Sequence, residues 1–167
     1  ARRTATRELV EKPLNDARII GALMKIMTDA DVDVRHAAID ALGKLGPSAS
    51  TAVPALKAAL QDQELIIRNR AAIAIARIDP HDRSFVQVLI AALRAGDGWT
   101  LLGVAELGPN AAWATPTLTE LLAHPSPKVR VLAAQGLGAI GPVASSSLSA
   151  LQRAAKDQDS MVRRAAQ

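Results

Sequence analysis

The amino-acid sequence predicts an all-α fold in which short antiparallel helix pairs stack into an α-solenoid. Two markers recur with a period of about 33 residues: an arginine that follows an apolar residue, and a proline that ends a helix. Between them, leucine and alanine recur at steps of three and four, as in amphipathic helices. Two helices of this length cannot bury both faces alone, whereas stacked pairs can. The markers are Arg35, Arg68, Arg130 and Arg163, and Pro47, Pro80, Pro109 and Pro142.

Each repeat is predicted to contain two helices. The second helix starts after a polar turn, where Asp31, Ser126 and Asp159 stand four residues before a marker arginine and cap the helix. Gly-Pro pairs then end it, because glycine permits positive φ and proline prevents continuation. The first helices are predicted at 14–27, 51–60, 83–93, 112–123 and 143–156.

We expect one solenoid over the whole chain, truncated at both ends because the first and last repeats are incomplete. The predicted repeats are a partial one at 1–13, full ones at 14–46 and 51–79, a shortened one at 82–108, a full one at 111–141 and a partial one at 143–167.

The composition narrows the possible functions. Only 2% of the residues are aromatic, so the core consists of Ala, Leu, Ile and Val. The net charge of +4 is weak evidence for nucleic acid, because both signs are interleaved. The absence of Cys excludes disulfides and thiolate metal sites and leaves the compartment open. No continuous apolar run reaches the roughly 18 residues of a membrane span, so none is expected.

The stretch DADVDVRHAAIDALGKLGP at 29–47, followed by VPALKAAL at 53–60, resembles the HEAT repeat, most closely its short bacterial form named after phycobilisome lyases. The resemblance implies a right-handed, HEAT/armadillo-like α-solenoid. It also implies a family of mostly binding scaffolds with a few enzymes. In such solenoids the Val-Arg helices line the concave face and the Pro-Leu helices line the convex face.

The marker arginines are predicted to be structural. Their regular place beside a buried Val or Ile favours a ladder that pairs with acidic or carbonyl groups of adjacent repeats, rather than a row of phosphate sites. A guanidinium fork suits that role. The predicted ladder is Arg35, Arg68, Arg130 and Arg163.

The outward positions of the second helices are the predicted partner-binding surface. Apolar residues among them favour a mixed groove for a peptide, a helix or a folded partner. The competing interpretation is that curvature buries them between neighbouring helices. The set is Asp33, His36, Asp40, Lys44, Ile66, Asn69, Ile73, Arg77, Trp99, Leu102, Glu106, Lys128, Val131, Gln135, Met161 and Arg164.

The shortened repeat at 82–108, called the third repeat because the partial one at 1–13 is not counted, departs from the pattern. About four residues are missing before Gly108, and the marker position falls on Leu101 or Asp97 with no arginine. One interpretation is sequence drift with a local change of curvature; the other is an opening in the concave wall beside Trp99. Trp99 itself either contacts a partner or fills the gap left by the deletion, and Trp113 is a second candidate contact.

No catalytic constellation is present. The aspartates at 29–33 imitate a calcium loop, but Val34 stands where the loop needs glycine. The three histidines lack metal-ligand spacing, so no metal or cofactor is predicted. The predicted function is a non-catalytic scaffold that binds a protein or peptide partner, or another domain of its parent chain, on its concave face. One alternative is a nucleic-acid-binding HEAT-like module, which needs basic residues along one groove, whereas Asp33, Asp40 and Glu106 interrupt this one. The other is a bilin-lyase or chaperone-like activity implied only by the resemblance.

Overall fold

The computed structural model describes residues 17–167, and every regular element in that range is helical, which confirms the all-α α-solenoid class. The predicted partial repeat at 1–13 and the start of the next repeat, 14–16, lie outside the described residues. The α-helices are α1 Ala17–Ile26, α2 Val32–Leu45, α3 Val53–Ala59, α4 Leu65–Ile78, α5 Val86–Arg94, α6 Gly98–Glu106, α7 Thr115–Leu121, α8 Pro127–Ile140, α9 Leu148–Ala154 and α10 Ser160–Ala165.

The described residues form two compact units, one that ends at Val88 and one that begins at Leu89, and the boundary between them falls within α5. In the first unit α2 packs against α1 and α4, and α4 also packs against α3. In the second unit α8 packs against α6, α7 and α10. The second helix of each pair therefore lies beside the second helix of a neighbouring repeat, which places their outward residues side by side.

Most second helices begin at the predicted caps. The Asp31 carboxylate accepts the N–H of Asp33, and the Asp159 carboxylate accepts those of Met161 and Val162. The predicted capping by Ser126 is wrong: the residue occupies the N-cap position of α8, but its side chain makes no capping hydrogen bond. Pro127 follows at the first helical position, where a missing N–H costs least.

The Gly-Pro stops turn the chain as predicted. Gly46, Gly108 and Gly141 all have φ between 55° and 73°, a conformation that side chains with a Cβ disfavour. The prolines that follow do not merely end the helix. They open 3-10 helices at Gly46–Ala52, Gly108–Ala114 and Gly141–Ser147, which lead directly into α3, α7 and α9.

Close approach of the second helices depends on small residues. A Cβ on Gly43 of α2 would lie 3.2 Å from the Cα of Ala74 on α4. The core of the first unit includes the fully buried aliphatic side chains of Leu42, Leu56 and Ile75. This packing explains why a chain with so few aromatic residues still closes its core.

One stretch of the described residues, Pro127–Ala154, is long and apolar enough to cross a membrane by length and composition alone. It is not a single helix, because α8 ends at Ile140 and Gly141 has a φ of 73°. The stretch therefore consists of two α-helices joined by a 3-10 turn.

We predict opposite effects of adding a methyl group at two glycines of the second unit. Gly96 has a φ of 71°, and a Cβ there would lie 3.2 Å from Val129, so Gly96→Ala should destabilise the fold by about 1–2 kcal/mol. Gly138 lies inside α8 with no atom near its missing Cβ, so Gly138→Ala should stabilise it by about 0.5–1 kcal/mol. Urea unfolding of both variants measures the difference, and effects of the same sign would contradict it.

A second prediction concerns Asp82, in the segment after α4. Lys57 Nζ lies 2.6 Å from Asp82 Oδ2, and the Ser84 N–H donates to Oδ1 at 2.8 Å. Burial raises the pKa of Asp82, but the hydrogen bonds from Lys57 and Ser84 outweigh burial and lower it to about 2. A carboxylate with a lowered pKa stabilises the fold above its unfolded pKa of about 3.9, and this contribution is lost as the pH falls through the folded pKa.

Asp82→Asn should therefore lower the melting temperature at pH 7 and make progressively less difference between about pH 4 and pH 2. Lys57→Met, which removes only the ion-pair partner, should reproduce part of the loss at pH 7. Thermal unfolding followed by circular dichroism across this pH range is the measurement. A difference between wild type and Asp82→Asn that stays constant down to pH 2 would refute the assignment.

Candidate functional site

The four marker arginines share one geometry. In each case Nη1 donates to the two backbone carbonyls that lie six and five residues earlier. These carbonyls belong to the turn that joins the two helices of the same repeat, where no helix pairs them. The donor–acceptor pairs are Arg35 to Asp29 and Ala30, Arg68 to Asp62 and Gln63, Arg130 to His124 and Pro125, and Arg163 to Asp157 and Gln158.

Two of the arginines also reach the next repeat. Arg130 binds Asp157 bidentately, with Nε 2.9 Å from Oδ2 and Nη2 2.8 Å from Oδ1. Arg35 Nη2 lies 3.3 Å from Oδ1 of Asp62, which is a looser contact. The hydrogen bond from Arg130 holds the pKa of Asp157 below its usual range, and the Asp159 N–H adds to the effect. Each aspartate lies 27 residues after its arginine, so these pairs connect consecutive repeats.

The same aspartates also order their own turns. Asp62 accepts the backbone N–H of Glu64, and Asp157 accepts that of Asp159. In the repeat at 111–141, His124 occupies the position of these aspartates and accepts the Ser126 N–H through Nδ1. His124 therefore has a structural partner in this turn.

The third repeat has a different turn and a shorter helix. Asp97 caps α6 by accepting the N–H groups of Trp99 and Thr100, which places Leu101 at the marker position, fully buried. The N–H groups of Gly96 and Asp97 donate back to the end of α5, so the turn is closed by its own backbone. α6 has 9 residues, whereas α2, α4 and α8 have 14 each.

We predict that the ladder arginines differ in their contribution to stability. Arg130→Ala removes two carbonyl bonds and a bidentate ion pair, whereas Arg68→Ala removes two carbonyl bonds. Both should lower the melting temperature, Arg130→Ala by more. Arg130→Lys should recover only part of the loss, because an ammonium group cannot form the planar fork. Arg153→Ala, at an exposed position, is the control, and equal melting temperatures for all these variants would contradict the ladder.

In the first unit the predicted surface is mainly polar. Asp33 and Lys44 are exposed, His36, Asp40 and Arg77 are half-buried, and Ile66 is exposed. Asn69 and Ile73 were predicted to lie on this surface but do not. Only 7% and 5% of their surfaces are accessible, so neither is available to a partner. α4 is buried around most of its circumference, and this cannot be read from the register of one helix alone.

The polar residues of this unit interact with one another. His36 Nε2 lies 3.2 Å from Asp40 Oδ2, and Arg70 Nη1 lies 3.7 Å from Asp40 Oδ1. Burial raises the pKa of Asp40, but the hydrogen bond from His36 and the charges of Arg70, His36 and Lys44 outweigh it and keep that pKa low. The charges on this face are therefore largely compensated within the unit.

In the second unit the predicted surface is more apolar and more exposed. Trp99 and Leu102 on α6 and Met161 on α10 are 68%, 43% and 56% exposed. The exposure of Trp99 excludes the interpretation that its ring fills the gap left by the deletion. The remaining members are Glu106, Lys128, Gln135 and Arg164, which are exposed, and Val131, which is half-buried.

These outward residues lie on three adjacent helices. α8 packs between α6 and α10. At the start of α6, a Cβ on Gly98 would lie 3.6 Å from Leu132 Cδ1, and a Cβ on Gly96 would lie 3.2 Å from Val129. Trp113 is half-buried in the 3-10 helix that precedes α7, so it belongs to the layer of first helices instead.

The structure also contains features that the sequence analysis missed. A cleft of about 550 Å³ lies in the first unit, between two methionines at the end of α1 and just after it and the small residues of α3. Three alanines close together on α3 were the sequence signal for such a space. The cleft is lined by Met24, Met27, Thr28, Asp29, Arg35, Ala55, Ala58, Ala59, Asp62 and Gln63.

Residues 17–167 contain no group of three or more His, Cys, Asp or Glu side chains that could hold a metal ion.

A family model described as HEAT repeats matches residues 1–76, 20–108 and 114–167. The chain belongs to the HEAT-repeat family. The repeat period, the capped second helices and the Gly-Pro stops are those of this family, so the sequence-based resemblance is confirmed.

Solved structures of similar fold include natural and designed repeat proteins. The complex of CpcE and CpcF of phycocyanin lyase from Nostoc sp. PCC7120 is 23% identical with a TM-score of 0.64, and the match covers 99% of this HEAT-repeat chain and 68% of that one. An engineered protein is 22% identical with a TM-score of 0.60, covering 98% and 86%. A designed armadillo repeat protein in complex with the peptide (KR)4 is 18% identical with a TM-score of 0.54, covering 98% and 89%. The comparison with curated proteins gave no match.

Proposed function

We propose that the chain is a non-catalytic interaction module that holds a protein or peptide partner on the outward face of its second helices. HEAT and armadillo repeat folds typically serve as scaffolds for protein interactions. The observation that carries the proposal is the exposure of Trp99 and Leu102 on α6 and of Met161 on α10, two helices that both pack against α8.

Single exposed apolar residues are common on protein surfaces and need no explanation. Here two of them lie on α6 and one lies on α10, and both helices pack against α8, so a partner lying across the three helices would cover them together. Covering apolar surface contributes about 25 cal/mol per Å². Tryptophan is also the residue type most enriched among those that dominate binding energy.

A binding role agrees with what the ionisable groups do. The carboxyls of Asp40, Asp82 and Asp157 have lowered pKa values because they accept hydrogen bonds from basic neighbours. Such groups stabilise a fold and are not poised to exchange protons near neutral pH. A designed armadillo protein of similar fold binds a peptide, which supports this use of the architecture.

The proposal predicts that Trp99→Ala combined with Met161→Ala abolishes partner capture and leaves the melting temperature nearly unchanged, because both side chains are exposed. Immobilised chain is incubated with an extract of the source organism, and retained proteins are identified by mass spectrometry. Val143→Ala combined with Leu148→Ala is the matched control, because these residues are 60% and 58% exposed but lie in the layer of first helices.

Partners that bind wild type and the control equally well, and are lost from the Trp99 and Met161 variant, would support the proposal. Capture that persists in that variant would refute it. Ile73 is unsuitable for this test because its substitution by a polar residue would disturb the core.

A further inference from the structure

We infer that the exposed surface of the second unit binds an acidic peptide segment that also carries apolar side chains; this rests on the proposed function and specifies its partner. The surface, called the Trp99 face below, is formed by Trp99, Leu102, Lys128, Val131, Met161 and Arg164.

The Trp99 face combines apolar and cationic side chains in two rows. The caps Asp97, Ser126 and Asp159 start the three helices and define equivalent positions. Two residues after each cap stand Trp99, Lys128 and Met161, and five residues after each cap stand Leu102, Val131 and Arg164. Each row therefore presents one cation beside two apolar side chains. A segment laid across the three helices meets both kinds of group at once.

The two cations of the face are available to a partner. Lys128 and Arg164 are exposed, and neither makes an ion pair with another residue of the described range. Two other cations of this unit are already paired, since Arg130 binds Asp157 and Arg94 lies 3.7 Å from Glu120. Hydrogen bonds between charged groups are about twice as strong as neutral ones, so carboxylates of a partner complement this pair.

The two carboxylates that cap helices of the face are compensated. The Asp97 and Asp159 carboxylates accept N–H groups at the starts of α6 and α10, where the helix dipole offsets their charge. α8 has no side-chain cap, so the positive end of this 14-residue helix is not offset by a carboxylate and lies beside Lys128. The balance of charge therefore favours an acidic segment over a basic one.

The exposed apolar side chains of the Trp99 face indicate that the partner also carries apolar residues. Trp99 and Met161 are the most exposed large apolar residues of the face; Trp99 offers a large aromatic ring and Met161 a flexible apolar side chain. An acidic segment without apolar residues would satisfy the cations and leave these side chains in water. We therefore expect Leu, Ile, Phe or Met to alternate with Asp or Glu in the bound segment.

The inference is tested with a display library of random 12-residue peptides, selected against the immobilised chain at about 0.15 M salt. The expected result is enrichment of peptides with net negative charge and several apolar residues. A synthetic peptide of the enriched type is then titrated by isothermal calorimetry. Reversing both charges, with Lys128→Glu and Arg164→Glu, should raise its Kd at least about tenfold. Arg153→Glu with Lys156→Glu, two exposed cations outside the face, should leave the Kd within about twofold.

The outcomes separate this inference from the proposed function. Enriched peptides that are neutral or basic, and whose binding Trp99→Ala abolishes, overturn the acidic partner and leave an interaction module. Acidic peptides that bind the charge-reversed variant as tightly as wild type overturn the role of Lys128 and Arg164. A selection that enriches nothing, or peptides that bind regardless of Trp99→Ala, overturns both. Circular dichroism of each variant verifies that it remains folded.

Discussion

The hydrogen bonds from the marker arginines to the carbonyls of the helix-connecting turns are the interaction on which the repeat depends. Each turn exposes two carbonyls that neither flanking helix pairs, and one guanidinium satisfies both. Because the arginine lies one helical turn inside the second helix, its hydrogen bonds tie the start of that helix to the turn. Where an aspartate follows 27 residues later, the same guanidinium also joins consecutive repeats. One arginine side chain therefore connects the turn, the second helix and the next repeat.

The third repeat shows what replaces this interaction. Its turn uses Gly96 in a left-handed conformation, and the backbone N–H groups at the turn donate back to α5. With the turn ordered in this way the marker position accepts a leucine, and Leu101 adds to the core instead. The second helix of this repeat is also shorter, with 9 residues, whereas α8 has 14. Trp99 stands at the start of this short helix, so the departure from the repeat and the most exposed aromatic side chain occur together.

Equivalent positions on the second helices have diverged between the two units. In the first unit they carry polar side chains such as His36 and Asp40, and Asp40 contacts both His36 and Arg70. In the second unit they carry Trp99, Leu102 and Met161 together with unpaired Lys128. A charged group that is already compensated gains little from a partner, whereas exposed apolar surface beside a free cation gains from both burial and charge pairing. This difference places the proposed interaction on the second unit.

The sequence by itself determined the repeat period, the caps at Asp31 and Asp159 and the Gly-Pro stops, because these depend on residues within one or two turns of helix. It also singled out the arginines, although not the turn carbonyls that they bind. Only the tertiary structure decided that Asn69 and Ile73 are buried and that Trp99 is exposed. These outcomes depend on how many neighbours surround each helix, and the register of a single helix reports which side faces outward without reporting whether another element covers that side.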